Sequence, residues 1–181
     1  MHLLADAIVL TVRAHGEHGA IARGFTREGG VQPGYMRGGH SRRLRPLLQP
    51  ANLVRGEWRA RSDEHLAHVT FELVRSRAPL WAEPLPAAAL EWLTVLTAAT
   101  LPEALPYPRL FDALAAVLDA VEAAPSARGW AGALARYELL LLAELAAPTR
   151  RFRRGRTMGD RAGPARPRPD RPTRVGRRLF H

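Results

Sequence analysis

Ile8, Leu10 and Val12 alternate with Ala7, Val9 and Thr11, which predicts a buried strand over residues 7–13. His15 to Gly19 turns the chain, and Gly19 to Thr26 reads as a second strand that ends in the turn at Gly29-Gly30. Val31 to Arg37 is a third, with Pro33 placing it at an edge or a bulge. Asn52 to Arg61 predicts a fourth, with Val54, Trp58 and Ala60 on one face and Arg55, Glu57, Arg59 and Arg61 on the other. Leu66 to Leu73 closes the series, with Ala67, Val69, Phe71 and Leu73 facing inward. Five short strands in succession suggest a small barrel, and the OB-fold is the commonest five-stranded solution.

From Pro79 the period changes to that of helices. Leu85-Pro86 starts one that runs to about Thr100. Pro108 stands where a first helical residue belongs, and Leu110, Leu114, Val117, Leu118 and Val121 follow at helical spacing until Pro125. Trp130, Leu134, Tyr137, Leu141 and Leu145 mark a third helix, apolar nearly all round at Leu139–Leu142 and so expected between neighbours. The fold class is therefore α+β, with an OB-fold barrel over residues 1–78 and a helical domain over 79–146. Residues 147–181 have five prolines, almost no aliphatic side chains and no period, the composition of a disordered tail.

Charge divides along the same lines. The formal total is +10, every cation is arginine, and there is no cysteine. Residues 1–77 carry 12 Arg against 7 acids, 78–147 carry 3 against 8, and 148–181 carry 12 against 2. A basic first part beside an acidic middle suggests two functional surfaces. Without cysteine there are no disulfides, thiolate metal sites or Cys nucleophiles. The start lacks a basic leader region, and the longest apolar run, Leu139 to Ala143, falls far short of a membrane span. The expectation is a soluble, cytoplasmic protein that makes no use of a membrane.

The densest chemistry lies between Gly24 and Trp58. Gly38-Gly39 leads into Arg42-Arg43-Leu44-Arg45, and Arg55 and Arg59 follow at strand spacing. Guanidinium forks pair with phosphate oxygens, and glycine lets backbone approach them. Arg37, Arg42, Arg43, Arg45, Arg55 and Arg59 are the candidate DNA contacts, with Tyr35 beside them as a base-stacking surface. Trp58 and Trp130 fit the apolar patterns and are read as core. His15-x-x-His18 and His65-x-x-His68 do not make a zinc site, because residues three apart on a strand point to opposite faces. Glu91, Glu103, Asp112, Asp119 and Glu122 are read as solvated helix surface. No nucleophile–base pair can be argued, so neither a catalytic site nor a cofactor is expected. A DNA-binding protein and an RNA-binding OB module, translational or ribosome-associated, both fit the barrel and its arginines.

Several words in order carry a resemblance. They are Ala7-Ile8-Val9-Leu10 with Gly16-Glu17, Phe25-Thr26-Arg27-Glu28-Gly29, Arg37-Gly38-Gly39 and Ser41-Arg42-Arg43-Leu44-Arg45. Leu48-Gln49-Pro50 and Glu57-Trp58 follow, then Pro106 to Phe111 and Arg136 to Leu145. Together they resemble the RecO family of bacterial DNA repair and recombination proteins. The resemblance implies an N-terminal OB domain, a helical domain and no catalysis. It also implies binding and annealing of single- and double-stranded DNA in the RecF pathway of recombination. RecR and single-strand-binding protein are its implied partners, and the nucleoid its implied location.

The resemblance stops after Leu145, where the family continues with Gly, further strand and helix, and a cysteine; the helical domain reads as truncated. Two readings of residues 147–181 stay open, a native basic tail and an out-of-frame end, since GC-rich DNA read out of frame yields Arg, Pro, Gly and Ala. On the second, another frame of the DNA after codon 145 encodes a run that begins with Gly and contains Cys. Sequencing that DNA checks it, and a downstream region without such a peptide leaves the native tail.

Overall fold

The computed structural model describes residues 2–39, 41–61, 65–124 and 126–147, so the tail expected at 147–181 lies outside the described residues except for Ala147. Five strands come first: β1 (His2–His15), β2 (Gly19–Thr26), β3 (Gly30–Arg37), β4 (Leu53–Arg59) and β5 (His68–Arg75). A short 3-10 turn at Ala78–Ala82 leads to α1 (Pro84–Thr100), α2 (Pro108–Ala123) and α3 (Ala127–Ala146). The strands close into a barrel in the order β1-β2-β3-β5-β4. β3 and β5 meet in parallel and every other pair is antiparallel, which is the OB arrangement.

β1 is longer than its apolar alternation predicts, because it serves two partners. His2 to Ile8 pair with β4, and Ala7 to His15 pair with β2 across an irregularity between Val9 and Thr11. Ala7 and Val9 face the barrel interior with Val54, Trp58 and Phe71. Ile8 and Leu10 face outward, where with Phe25 and Val31 they join Leu90, Leu93, Leu110 and Leu114 of the helices. A strand covered on both faces needs apolar residues at every position, as residues 7–10 have.

Pro33 sits within β3 as expected. β3 meets β5 only at Tyr35, whose N–H donates to the Ala67 carbonyl at 2.7 Å. Two residues earlier the same side of the strand has no ladder, so a residue without an N–H costs nothing there. The inward reading of β5 holds for Val69 and Phe71 and fails at Leu73, which is 42% exposed. Leu73 pairs with the buried Val54, and the β4–β5 register shifts just beyond that pair, between Val54 and Leu53. The third helix departs from expectation too. Tyr137 and Leu141 are buried, but Leu139 and Leu142 face solvent at 66% and 63%.

The helical acids are not merely solvated. Arg27 donates to both carboxylate oxygens of Asp112 at 3.0 Å, Arg23 lies 3.2 Å from Glu103, and Arg75 reaches Asp119 and Glu122 at 2.9 and 3.1 Å. The Arg27 guanidinium holds the Asp112 carboxyl below the usual carboxylate range. Arg77, only 3% exposed, lies between these elements and donates to Asp119 Oδ1 at 2.5 Å and to the Ala51 carbonyl at 2.7 Å. Its backbone N–H donates to Asn52 Oδ1 at 2.7 Å.

Trp58 fills the barrel. It is fully buried and meets Phe71 edge-on at 5.6 Å. A side chain at Gly56 or Gly34 would collide with it or with Val69, so these glycines make the room it occupies. Its indole N–H has no hydrogen-bond partner among the described residues. Trp58→Ala should cost about 3–5 kcal/mol. Trp58→Phe should cost clearly less, because it also removes an unsatisfied donor. Urea denaturation followed by circular dichroism separates the two, and equal losses would mean that the ring's bulk is not what matters.

Among the helices, Thr97 Oγ1 donates to the Leu93 carbonyl at 2.6 Å, which leaves the buried Tyr137 hydroxyl to donate to Thr97 at 2.5 Å. Burial pushes the Tyr137 phenol from 10.0 up to about 12, against the smaller opposing effect of Thr97. A raised phenol pKa keeps the proton bound longer in the folded state. Its stabilisation is therefore complete below pH about 10 and is lost as pH rises towards 12, by roughly 3 kcal/mol. Tyr137→Phe should cost about 1 kcal/mol at neutral pH and remove this part of the alkaline loss. Thermal melts between pH 9 and 12 test it, and an unchanged alkaline limb in the variant would refute it.

Candidate nucleic-acid interface

The segment between β3 and β4 is ordered by its own sequence. Arg45 N–H donates to the Ser41 carbonyl at 3.2 Å and Leu48 N–H to the Leu44 carbonyl at 3.1 Å, the spacing of helical turns. The Ser41 hydroxyl oxygen accepts from Leu44 N–H at 3.3 Å, as a helix-capping serine does. Leu44, Leu47 and Leu48 pack on the barrel's interior cluster. Arg42, Arg43 and Arg45 lie on the outer side, exposed. What reads as a glycine-hinged loop is thus a pair of helical turns with arginines on its outer side. Gly38, with φ +72°, allows the bend out of β3, and Gly39 packs against Ala20 where any side chain would collide.

Asn52 ties down the far end of the segment. It is fully buried, and its side-chain amide donates to the Pro46 carbonyl at 2.7 Å. Arg45, Leu48, Gln49 and Pro50 face Val12, Ala14 and Ala20 across a cleft of about 330 Å³, which sets the arginine turns against the end of the β1–β2 hairpin.

Barrel register supplies the rest. Arg13 pairs with Ile21, Ile21 with Tyr35, Tyr35 with His68, His68 with Arg59, and Arg59 with His2. These residues form one girdle on the outer surface. Tyr35 is half-buried, edge-on to His15 at 5.9 Å and to His68 at 5.4 Å. Next to it Arg59, Arg61, His65, Leu66 and His68 line a cleft of about 430 Å³.

Ion pairing sorts the candidate arginines into two groups. Arg55 is 2.9 Å from Asp6, and Arg59 is 2.6 Å from Glu57. Glu57 also accepts from His2 at 2.7 Å, and the hydrogen bonds from His2 and Arg59 hold its carboxyl below the usual range. Arg37, Arg42, Arg43 and Arg45 have no ion pair among the described residues, and neither does Arg13.

Residues 1–77 match the family model described as Recombination protein O N terminal. The DNA repair protein RecO of Rhodospirillum centenum is 44% identical over 140 residues, which cover 77% of this chain and 54% of that protein. The protein of the same name from Jannaschia sp. is 40% identical over 142 residues, 78% of this chain and 57% of its own. That from Xanthobacter autotrophicus is 45% identical over 142 residues, 77% and 57% respectively. The chain belongs to the RecO family. It spans little more than half the length of these curated relatives. The RNA-binding alternative finds no support among them.

Two features of this RecO-family barrel were not legible as site residues. Arg13 joins the outer girdle of Tyr35, His68 and Arg59 only through the β1–β2 register, where it pairs with Ile21. The Tyr35–His68 contact needs the parallel meeting of β3 and β5, which no local pattern announces. Among the described residues no group of three or more His, Asp or Glu side chains is placed to hold a metal ion. No helix among them is long and apolar enough to cross a membrane.

Proposed function

We propose that the barrel holds DNA by its phosphates through Arg37, Arg42, Arg43 and Arg45, with Tyr35 offering a surface on which a base stacks. The observation that carries this reading is the set of four exposed arginines without carboxylate partners among the described residues, three of them on one ordered pair of turns. Guanidinium groups in that state gain more from a phosphate than ones already neutralised. Arg55 and Arg59 form a second rank, since each must share its carboxylate with the incoming anion. Phosphate contacts give affinity without sequence preference.

On this reading the chain is a non-catalytic mediator of recombinational repair. It binds single- and double-stranded DNA in the cytoplasm, at the nucleoid, and anneals complementary strands by screening their repulsion. Residues 1–78 form the DNA-binding part, and residues 79–146 the helical part. RecR and single-strand-binding protein are its partners, and it needs no cofactor. Relatives that bear the name DNA repair protein RecO support the reading.

The test is the salt dependence of binding to single-stranded DNA. Replacing Arg42, Arg43 and Arg45 by Ala should flatten the slope of log affinity against log salt by about two units, equally for any base sequence. Arg55→Ala with Arg59→Ala should flatten it by less than two full contacts predict. Residues 148–181 hold 12 arginines, so the comparison is made both in the full chain and in one ending at Ala146. Unchanged affinity and slope in the triple variant would move the DNA site away from these turns.

A further inference from the structure

The inward-facing rows of the barrel run on past its packed interior. Val12 pairs with Ala22 and Ala14 with Ala20 across β1 and β2, and Ala20 pairs with Met36 of β3. Cross-strand partners share a face. Ala22 and Met36 belong to the interior cluster, so Ala14 and Ala20 continue the same rows toward the hairpin end. Leu48 of the arginine turns packs on that cluster from the other side. Between hairpin and turns, Ala14 and Ala20 bring only methyl groups and Gly39 brings none. That is how the cleft of about 330 Å³ stays open. Gly39 cannot narrow it, because any side chain there would collide with Ala20.

The lining is divided in its chemistry. Val12, Ala14, Ala20 and Leu48 make an aliphatic wall, and Gln49 and Arg45 are the polar residues beside it. Gln49 is half-buried, and its side-chain amide has no hydrogen-bond partner among the described residues. Arg45 is exposed, has no ion pair among them, and stands on the same turns as Arg42 and Arg43. A simple anion would make no use of the wall, and an apolar group would make none of the guanidinium. A nucleotide has both parts, a flat heterocycle with a hydrogen-bonding edge and, one sugar away, a phosphate. An amide carries donors and an acceptor together, so it can meet the edge of any base. The volume is at the low end of the roughly 300–1,000 Å³ that small-molecule sites span, which suits a single nucleoside.

We propose that this cleft takes one unpaired base of a single strand whose phosphates lie on the arginine turns. The base lays a face on Val12, Ala14 and Leu48, the Gln49 amide bonds its edge, and Arg45 holds the adjoining phosphate. In a duplex the base faces are stacked and the edges paired, so only the phosphate contacts remain. Arginines alone bind any phosphate backbone. The cleft therefore supplies a preference for unpaired DNA that they cannot. This inference rests on the DNA reading above and adds the form of DNA to it. Tyr35 lies on the outer girdle and is a separate place for a base.

The test measures affinity of the full chain for three probes of equal length at one salt concentration. They are a single strand, its duplex, and a strand of abasic sugar-phosphates. Ala14→Leu fills the cleft from its exposed rim, and Gln49→Ala removes the amide. The single strand should lose about tenfold in affinity to the first variant and about fivefold to the second. Duplex and abasic strand should bind both variants as they bind the parent chain, and the salt slope should be kept. If the single strand loses nothing to either variant while the Arg42/Arg43/Arg45→Ala variant flattens the slope, this inference falls and the DNA reading stands. Equal losses on all three probes overturn it too, since the cleft then only shapes the turns. An unchanged slope in the triple variant removes the DNA reading, and this inference with it.

Discussion

A single buried guanidinium joins the parts of this molecule. Arg77 donates to the Ala51 carbonyl and to Asp119, its Nε lies 3.4 Å from Glu122, and its backbone N–H bonds Asn52. A charge so far from water is tolerable only with its partners in place. Ala51 takes a left-handed φ of +70° at this point, a conformation that costs an alanine roughly 1–2 kcal/mol. The hydrogen bonds around it offset that cost: Ala51 N–H donates to the Val9 carbonyl, and its own carbonyl meets Arg77. Through Asn52 the same network reaches Pro46 and fixes the end of the arginine turns. Loop, strand and helix are thus positioned together.

The apolar interior follows the same logic. β1 is shared between two clusters, one inside the barrel around Trp58 and one between barrel and helices. Phe25 of β2 meets Phe111 of α2 edge-on at 5.6 Å in the second. Stripped of the helices, the barrel would show water Ile8, Leu10, Phe25 and Val31. The helices therefore act as part of the barrel's folding and not only as a neighbour in sequence.

How much of this was legible depends on the range of the interaction. Strand alternation, helix spacing and the prolines at helix starts are local, and the five strands and three helices could be read from them. Trp58 as core followed from strand parity; Leu73 keeps that parity opposite the buried Val54, and yet stands 42% exposed near the end of the strand. Leu139 and Leu142 misled because an unbroken leucine run looks the same whether or not a neighbour covers it. Asp112 and Asp119 have the spacing of solvated helix acids, and only the tertiary fold brings Arg27, Arg75 and Arg77 to them. The arginine cluster was visible as composition. Its division into paired and unpaired members was not, because Asp6 and Arg55 are 49 residues apart in sequence.

That division explains how a cationic surface arises where formal charge is balanced. Residues 1–147 hold as many arginines as acids. On the helix side, Arg23, Arg27, Arg75 and Arg77 take up Glu103, Asp112, Asp119 and Glu122. At the β1–β4 edge, Asp6 and Glu57 occupy Arg55 and Arg59. Arg13, Arg37, Arg42, Arg43 and Arg45 stand in neither set. Fields from paired charges fall away quickly in salt, whereas unpaired ones act on whatever anion comes within a Debye length of about 8–10 Å. Positive potential therefore concentrates at the arginine turns by subtraction. The acids that dock the helices hold four arginines in ion pairs away from that face.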